Sequence, residues 1–279
     1  MIVNDTKKII NQYEIFAKKM YGQNFLIDKN ILDIIIEKSG VNTDIGVIEI
    51  GPGLGSLTEM LAINSKKVLS YEIDKDMVNI LNETLKDYDN IVIKNIDILK
   101  ADITEDINEY FTDVEEVIVV ANLPYYITTP IIFKFLEETK LNKFLFMVQK
   151  EVGLRLTGKP NTKDYNALSV LMEYKTKSKI VHNVPRKCFY PEPNVESVLL
   201  LIESVKSDYG LNNEPKFLKF IQNIFNQRRK TMVNNISTSY SIDKTEISES
   251  LQKLGYNPSV RAEALLLNDI VEIYKTIFE

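Results

Sequence analysis

The chain has one cysteine, Cys188, and one histidine, His182. A lone cysteine excludes an internal disulfide and fits a reducing compartment, the cytoplasm. One cysteine and one histidine cannot build a zinc site of the usual four-ligand kind, so no metal is expected. Long hydrophobic runs are also lacking. The apolar stretch Ile31–Ile36 is interrupted by Asp33 and stops at Glu37, too short to cross a bilayer. The opening Met1-Ile-Val-Asn-Asp has neither a basic start nor an apolar core, so no secretion signal and no membrane partner are expected. A surplus of positive charge is missing as well: 34 Lys and Arg stand against 39 Asp and Glu, a net charge of −5. Spread evenly, that balance would disfavour a nucleic-acid partner. It is not spread evenly, because Arg228-Arg-Lys230, Arg186-Lys187 and Lys18-Lys19 form local basic clusters. Phosphate contacts depend on such patches more than on the total, although any one cluster alone is more often a solvated face.

What is present is ordinary for a globular protein: 279 residues, 44% hydrophobic and 26% charged, enough for one large domain and one small one. Residues 1–20 read as a short helix or arm. Asp28 is placed to cap a helix over Lys29–Lys38, and Gly40 to end it. Strands are expected at Gly46–Ile50, Lys67–Ile73, Asn90–Lys94, Glu116–Ala121, Phe144–Val148, Lys179–Val184 and Ser197–Glu203. Helices are expected at Ser56–Ile63, Lys75–Leu85 behind an Asp74 cap, Gln149–Leu156 and Ala167–Tyr174. Another follows Thr128 or Thr129 as cap, with Pro130 in its first turn. The polar stretch Thr157–Asn166 reads as a mobile loop and Ser204–Pro215 as a linker. Beyond it lie helices at Lys216–Asn226, near Thr231–Ile236, at Lys244–Leu254 and at Asp269–Phe278. The expected organisation is a seven-strand α/β domain over 1–204 and a small helical domain over 205–279.

Two stretches carry chemistry. Glu49-Ile-Gly-Pro-Gly-Leu-Gly55 joins a strand to a helix, so its glycines let backbone approach a ligand while the helix N-terminus presents free N–H groups. The spacing is G-x-G-x-G, not the G-x-G-x-x-G dinucleotide fingerprint, and alone it is a weak signal. Glu72 ends the next strand, about 20 residues on, where an acid accepts from ribose hydroxyls. Asp97 follows the third strand. Singly, either acid is a helix cap or a solvated loop acid; Gly51, Glu72 and Asp97 after three successive strands line one crevice. The second stretch, Asn122-Leu-Pro-Tyr125, closes the fourth strand. The Asn122 side-chain oxygen and the Leu123 carbonyl can hold the two hydrogens of an exocyclic amine and turn its lone pair toward a methyl donor. Pro124 keeps the turn rigid, and Tyr125 can stack on the base. Phe189 can add a second aromatic face, although a lone phenylalanine there is more often core. Unstacking a base costs a few kcal/mol, and stacking returns about 1–3 kcal/mol per base, so the exchange is roughly balanced. Together these stretches suggest methyl transfer from S-adenosylmethionine to a nucleic-acid base. His182 and Cys188 read as structural.

Five blocks in order resemble the ribosomal RNA adenine N6-dimethyltransferases, most closely their small-subunit (16S) branch. They are Tyr21-Gly-Gln-Asn-Phe-Leu26, Glu49–Gly55, Asn122–Tyr125 with Ile127-Thr-Thr-Pro130, Phe189-Tyr-Pro-Glu-Pro-Asn-Val-Glu-Ser197, and Phe225-Asn-Gln-Arg-Arg-Lys-Thr231. The resemblance covers nearly the whole chain. It implies a Rossmann-like methyltransferase sheet with one antiparallel strand, and contacts to S-adenosylmethionine from Asn24, Leu26, Gly51, Gly53, Glu72, Asp97 and Asn122. Glu72 would hold the ribose and Asp97 the adenine amino group of the cofactor. It further implies dimethylation of two adjacent adenosines in a hairpin loop near the 3′ end of 16S rRNA, late in small-subunit assembly. Apart from the resemblance, a monomer is expected, because nothing in the sequence suggests an obligate dimer, and no DNA partner is expected. Arg228, Arg229, Lys230, Arg186 and Lys187 would meet RNA phosphates. One departure is Tyr126, where many relatives carry Asn. The erythromycin-resistance methylases of large-subunit RNA share the chemistry but read Asn-Ile-Pro-Tyr; DNA and protein-glutamine methylases read Asn-Pro-Pro-Tyr; Leu123 speaks against both. An assembly or transcription factor that keeps the fold and acts by binding is the alternative from another class.

Overall fold

The computed structural model describes residues 24–206 and 208–279. The expected N-terminal arm, Lys18-Lys19 and the Tyr21–Gln23 part of the first block lie outside the described residues.

The first helix, α1 (Lys29–Ser39), is set by its ends. The Asp28 carboxylate accepts from the backbone N–H groups of Asn30 (2.9 Å) and Ile31 (3.3 Å). Gly40 closes the helix at φ 70°, a left-handed position that glycine takes without strain. Ile31, Leu32 and Ile35 then fall on one face and are buried.

Seven strands form the main sheet: β2 (Ile45–Ile50), β3 (Lys67–Glu72), β4 (Ile91–Asn95), β5 (Glu116–Asn122), β6 (Lys143–Gln149), β7 (Thr176–Val184) and β9 (Ser197–Ser204). Their order is β4-β3-β2-β5-β6-β9-β7. The pairs β2–β3, β3–β4, β2–β5 and β5–β6 are parallel, with Ile50 opposite Tyr71, Glu72 opposite Asn95 and Ile48 opposite Val119. β9 enters antiparallel beside β6, with Gln149 opposite Ser197. Central strands buried on both faces read as continuous apolar runs, as in Val-Ile-Val-Val of β5 and Val-Leu-Leu-Leu-Ile of β9. A separate two-strand pair joins β1 (Phe25–Leu26) to β8 (Phe189–Tyr190), with Leu26 opposite Phe189.

Helices α2 (Ser56–Asn64), α3 (Lys75–Thr84), α4 (Ile103–Tyr110), α5 (Thr128–Glu138) and α6 (Lys150–Leu156) lie between the strands in sequence. α2 is buried from Ser56 to Ala62. α4 has no counterpart among the sequence expectations; its start is marked by Asp102, which accepts from Glu105 N at 2.9 Å. The expectation that Thr128 or Thr129 caps α5 is not met. Ile127 occupies the cap position without a side-chain bond, and Thr128 Oγ1 donates to the Pro124 carbonyl at 3.0 Å, tying the helix back to the turn before it.

The chain divides into two compact units: residues up to Gly153 with Lys179–Ser204, and Leu154–Ser178 with Val205–Glu279. The division departs from a single boundary at 204, because 154–178 belongs with the C-terminal helices. α7 (Ala167–Lys175) lies in that unit with α8 (Glu214–Ile224), α9 (Met232–Tyr240), α10 (Lys244–Lys253) and α11 (Leu267–Phe278). The reason is apolar burial. Tyr174 meets Phe217 at 5.3 Å and Tyr165 meets Phe225 at 5.8 Å between ring centroids. Phe217, Phe220, Tyr240, Tyr274 and Phe278 continue the ring contacts. Such pairs contribute about 0.5–1.5 kcal/mol each beyond area burial.

The Thr157–Asn166 segment, expected to be mobile, is tied at several points. The fully buried Tyr165 donates its hydroxyl to Leu265 O at 2.8 Å. Asn161 N donates to Glu263 O at 2.8 Å, and Asn166 forms a capping box with Ser169 at the start of α7. Polar composition suggested mobility, but the partners lie about a hundred residues downstream, beyond the reach of a local reading.

Candidate active site

The strand order reverses direction at β2. From β2 the chain steps outward through β3 and β4, then returns to the other side of β2 with β5 and β6. A crevice opens at such a reversal, beyond the carboxyl ends of the strands. It is occupied here by a cavity lined by Asn24, Leu26, Gly51, Gly53, Glu72, Asp97, Asn122, Leu123, Pro124 and Tyr125. Every residue singled out for the cofactor and all four residues of Asn122–Tyr125 therefore meet in one place.

The glycine turn builds one wall. Gly51, Gly53 and Gly55 all have positive φ (66°, 57° and 84°). At Gly55, the cap of α2, a Cβ would also lie 2.8 Å from Leu81 Cδ2. The turn can therefore pack against α3 only without a side chain. At the cavity wall, the position of a Gly51 Cβ is 3.8 Å from Pro124 Cγ, so the two signature stretches adjoin at van der Waals distance.

Glu72 and Glu49 supply the electrostatics. Glu72, 5% exposed, accepts from Asp74 N (2.8 Å) and Gly53 N (3.4 Å). Burial raises its pKa, against the opposing effect of those N–H groups. Glu49 is 1% exposed, and loss of solvent pushes its carboxyl up to about 7. The Ser70 hydroxyl donates to it at 2.8 Å and opposes the rise, while the Glu72 charge adds to it. The nearby Thr58 hydroxyl also opposes the rise but makes no hydrogen bond of good geometry. Asp97 caps the short 3-10 turn Ile98–Lys100, accepting from Leu99 N at 3.0 Å. Sequence reading quoted Glu49 within its motif without giving it a place in the site; the available signal was an acid inside an apolar strand, two residues before Gly51.

Asn122 ends β5. Its Nδ2 donates to Asn24 O at 3.4 Å, which directs Oδ1 to act as the acceptor end. Leu123 N donates to Met147 O at 3.0 Å and fixes the turn to β6. The Pro124 carbonyl already accepts from Ile127 N and Thr128 Oγ1. The Leu123 carbonyl is therefore the better-placed backbone acceptor of this turn. Tyr125 lines the cavity half-buried, its hydroxyl 2.8 Å from Ser197 Oγ, and burial raises its pKa so that it stays a neutral phenol. Tyr126 lies at the rim and is 56% exposed.

Phe189 is not brought to the cavity. It is 2% exposed, in the core with Leu26, Val184, Cys188 and Leu199, standing opposite Leu26 in the β1–β8 pair. This corrects the expectation of a second aromatic wall: the strand alternation that points Tyr190 outward turns Phe189 inward. Cys188 is buried and its thiol is pushed up, first by burial and then by Asp28, so it is no nucleophile. Among the described residues, no group of three or more His, Cys, Asp or Glu side chains is arranged to hold a metal ion. No described helix is long and apolar enough to cross a membrane.

The basic residues fall in two units. Arg186 and Lys187 are exposed on the 3-10 turn Arg186–Cys188, with Arg186 Nε 3.5 Å from Glu192. Arg228, Arg229 and Lys230 are exposed in the helical unit, before α9. Arg228 is turned to protein: it donates to Glu263 (2.7 Å), Lys163 O (2.7 Å) and Thr162 O (3.1 Å).

Comparison with known proteins gives a consistent result. A family model described as ribosomal RNA adenine dimethylase matches residues 16–278. Proteins called ribosomal RNA small subunit methyltransferase A, from Bacillus cereus and Bacillus mycoides, are 44% identical over 275 residues, spanning 97% of this chain and 94% of theirs. Among solved structures, a dimethyladenosine transferase from Plasmodium falciparum superposes with a TM-score of 0.73 at 25% identity, over 89% of this chain and 95% of that one. The 23S rRNA methyltransferase ErmE superposes at 0.70 with 23% identity, over 92% and 100%, which shows a shared fold.

Proposed function

The chain belongs to the ribosomal RNA adenine dimethylases, and from that premise we propose that its substrate is the small-subunit RNA, at two adjacent adenosines of the 3′-terminal hairpin loop. The protein is an S-adenosylmethionine-dependent methyltransferase. The name and near full-length match of the Bacillus relatives support the small subunit, whereas the likeness to the 23S enzyme carries only the fold. We further take the protein to act as a cytoplasmic monomer on RNA and not on DNA.

The cavity suits the cofactor. A buried carboxylate at Glu72 and the apolar edges of Leu26, Ile73 and Leu99 match ribose hydroxyls and an adenine ring, while the glycine turn, whose Gly51, Gly53 and Gly55 N–H groups bond to Tyr71 O, Glu72 and Pro52 O, lets bare backbone approach the tail. Bound there, the cofactor supplies an electrophilic methyl on a sulfonium. Everything else falls to this chain. Asn122 Oδ1 and Leu123 O accept the two hydrogens of the adenine amine, which pulls the lone pair out of conjugation and aims it across the cavity toward Gly51. After one methyl has been added a single hydrogen remains, and one acceptor suffices to orient the second transfer. Tyr125 stacks on the base and Pro124 keeps the turn rigid. The released proton passes to solvent. Arg229, Lys230, Arg186 and Lys187 contact RNA phosphates.

One observation carries this reading: the Asn122 amide, oriented by Asn24 O, stands opposite the glycine turn in the same cavity. The test is transfer of labelled methyl to small subunits, large subunits and bare large-subunit RNA, each lacking native adenine methylation. Dimethyladenosine on small subunits alone, reduced about a hundredfold or more by Asn122→Ala, is expected. Label on large-subunit RNA would overturn the substrate assignment. Binding without transfer would overturn the catalytic one and leave an assembly factor.

A further inference from the structure

We propose that Ser197 is a positioning residue for the target base, acting through the contact of its hydroxyl with that of Tyr125. The inference rests on the reading of Tyr125 as the stacking face. That two blocks far apart in sequence end on one hydrogen bond is a feature only the fold reveals: Tyr125 closes the fourth-strand motif and Ser197 closes the proline-rich block 72 residues later.

The backbone on both sides is fixed. On the Tyr125 side, Leu123 N is held by Met147 O, and the Pro124 carbonyl by Ile127 N and Thr128 Oγ1. On the other side, Ser197 is fully buried, opens β9, and lies opposite Gln149 of β6. Its neighbour Glu196 accepts from Lys150 N at 2.9 Å. Between these anchors the Tyr125 side chain would retain two torsions. A ring tied only at its Cβ can swing about both of them. A ring tied also at its hydroxyl, 2.8 Å from a buried serine, presents one plane to the cavity. Stacking alone would be served equally by phenylalanine, so the hydroxyl must have another use.

The partners also say what that use is not. Serine and tyrosine here are both neutral, so the pair offers no base and no stabilising charge. Its contribution is geometric. A base whose plane tilts moves its amine off the line between the Asn122 and Leu123 acceptors and the methyl donor, and small misplacements there cost rate and not binding.

The experiment is a cycle of Ser197→Ala, Tyr125→Phe and the double variant, with Tyr125→Leu as a separate arm. Each is assayed for kcat and KM on undermethylated small subunits, for affinity toward S-adenosylhomocysteine, and for pH profile. Each single variant is expected to lower kcat about five- to tenfold, the effect of one net hydrogen bond, with the double no lower than either single. KM, cofactor affinity and the shape of the pH profile should stay unchanged. Wild-type kcat in Ser197→Ala, or effects of the two substitutions that multiply, would overturn the proposal. Ser197→Ala is nearly isosteric; should it nonetheless melt early, Tyr125→Phe and its kcat decide alone. If Tyr125→Leu transfers at the wild-type rate, the stacking reading itself falls. If it is nearly inactive while Ser197→Ala is normal, stacking stands and the positioning role falls.

Discussion

Glu49 illustrates how a single buried side chain sets a pH dependence. Its folded-state pKa of about 7 lies above the ordinary glutamate value, so folding favours the protonated form. The stability this group contributes is fully present below the ordinary value near 4.5 and is lost as pH rises through 7. Glu49→Gln removes the titration. Between pH 5 and pH 8, calorimetry should show the wild type losing up to about 3 kcal/mol relative to that variant; parallel stability curves would refute the assignment. Glu72 differs in that its carboxylate is already held by two backbone N–H groups and points at the cavity. Glu72→Gln keeps the shape and loses the charge. Titration calorimetry with S-adenosylhomocysteine should show affinity falling about ten- to a hundredfold, the range for a hydrogen bond to a charged group. The site was legible in the sequence at this scale wherever a residue followed a strand: Gly51, Glu72, Asp97 and Asn122 all stand where strand ends place them. The burial of Phe189 and the contact of Ser197 with Tyr125 were not legible, because both depend on the register of β8 and β9 against strands far away in sequence.

Among the elements, those with strong local punctuation were readable and those defined by distant pairing were not. α1 announces itself through Asp28 and Gly40. Asp28→Ala should cost about 1 kcal/mol in chemical denaturation through loss of the cap, with cofactor affinity unaltered. A loss well below half that value would mean the cap contributes little here. α4 was missed although its signal is present, Ile103, Ile107 and Tyr110 recurring at i, i+4 and i+7 behind the Asp102 cap in a helix of only eight residues. The pair β1–β8 is two residues long on each side and has no pattern to detect. α5 shows a subtler failure: threonines near a helix start look like caps, but Thr128 spends its hydroxyl as a donor to Pro124 O. The sheet was largely readable, since most strands are apolar runs bounded by polar residues or glycine; β7, polar over Thr176–Lys179, was seen only from Lys179 onward.

For the molecule as a whole, charge and chain path matter most. The three cations of 228–230 should behave unequally. Arg229→Ala and Lys230→Ala should each lower the salt dependence of particle binding by about one phosphate contact and leave the 157–166 segment protected from hydrogen exchange. Arg228→Ala should expose that segment, because its guanidinium holds Thr162 O, Lys163 O and Glu263. Equal behaviour of all three would contradict the geometry. The unit boundary was the least legible feature, since residues 154–178 run from the end of α6 into the start of β7 in sequence yet group with the C-terminal helices.

The late arrival of β9 beside β6 also matters while the chain is being made. β6 is complete at Gln149, but its antiparallel neighbour begins at Ser197. At ordinary translation speeds of about 5–20 residues per second, the intervening stretch takes roughly 2–9 s to emerge. For that time one edge of β6 displays unpaired backbone groups, a template for pairing with other chains. Slowing synthesis between these two strands should therefore lower the soluble yield of a protein whose finished fold is unchanged.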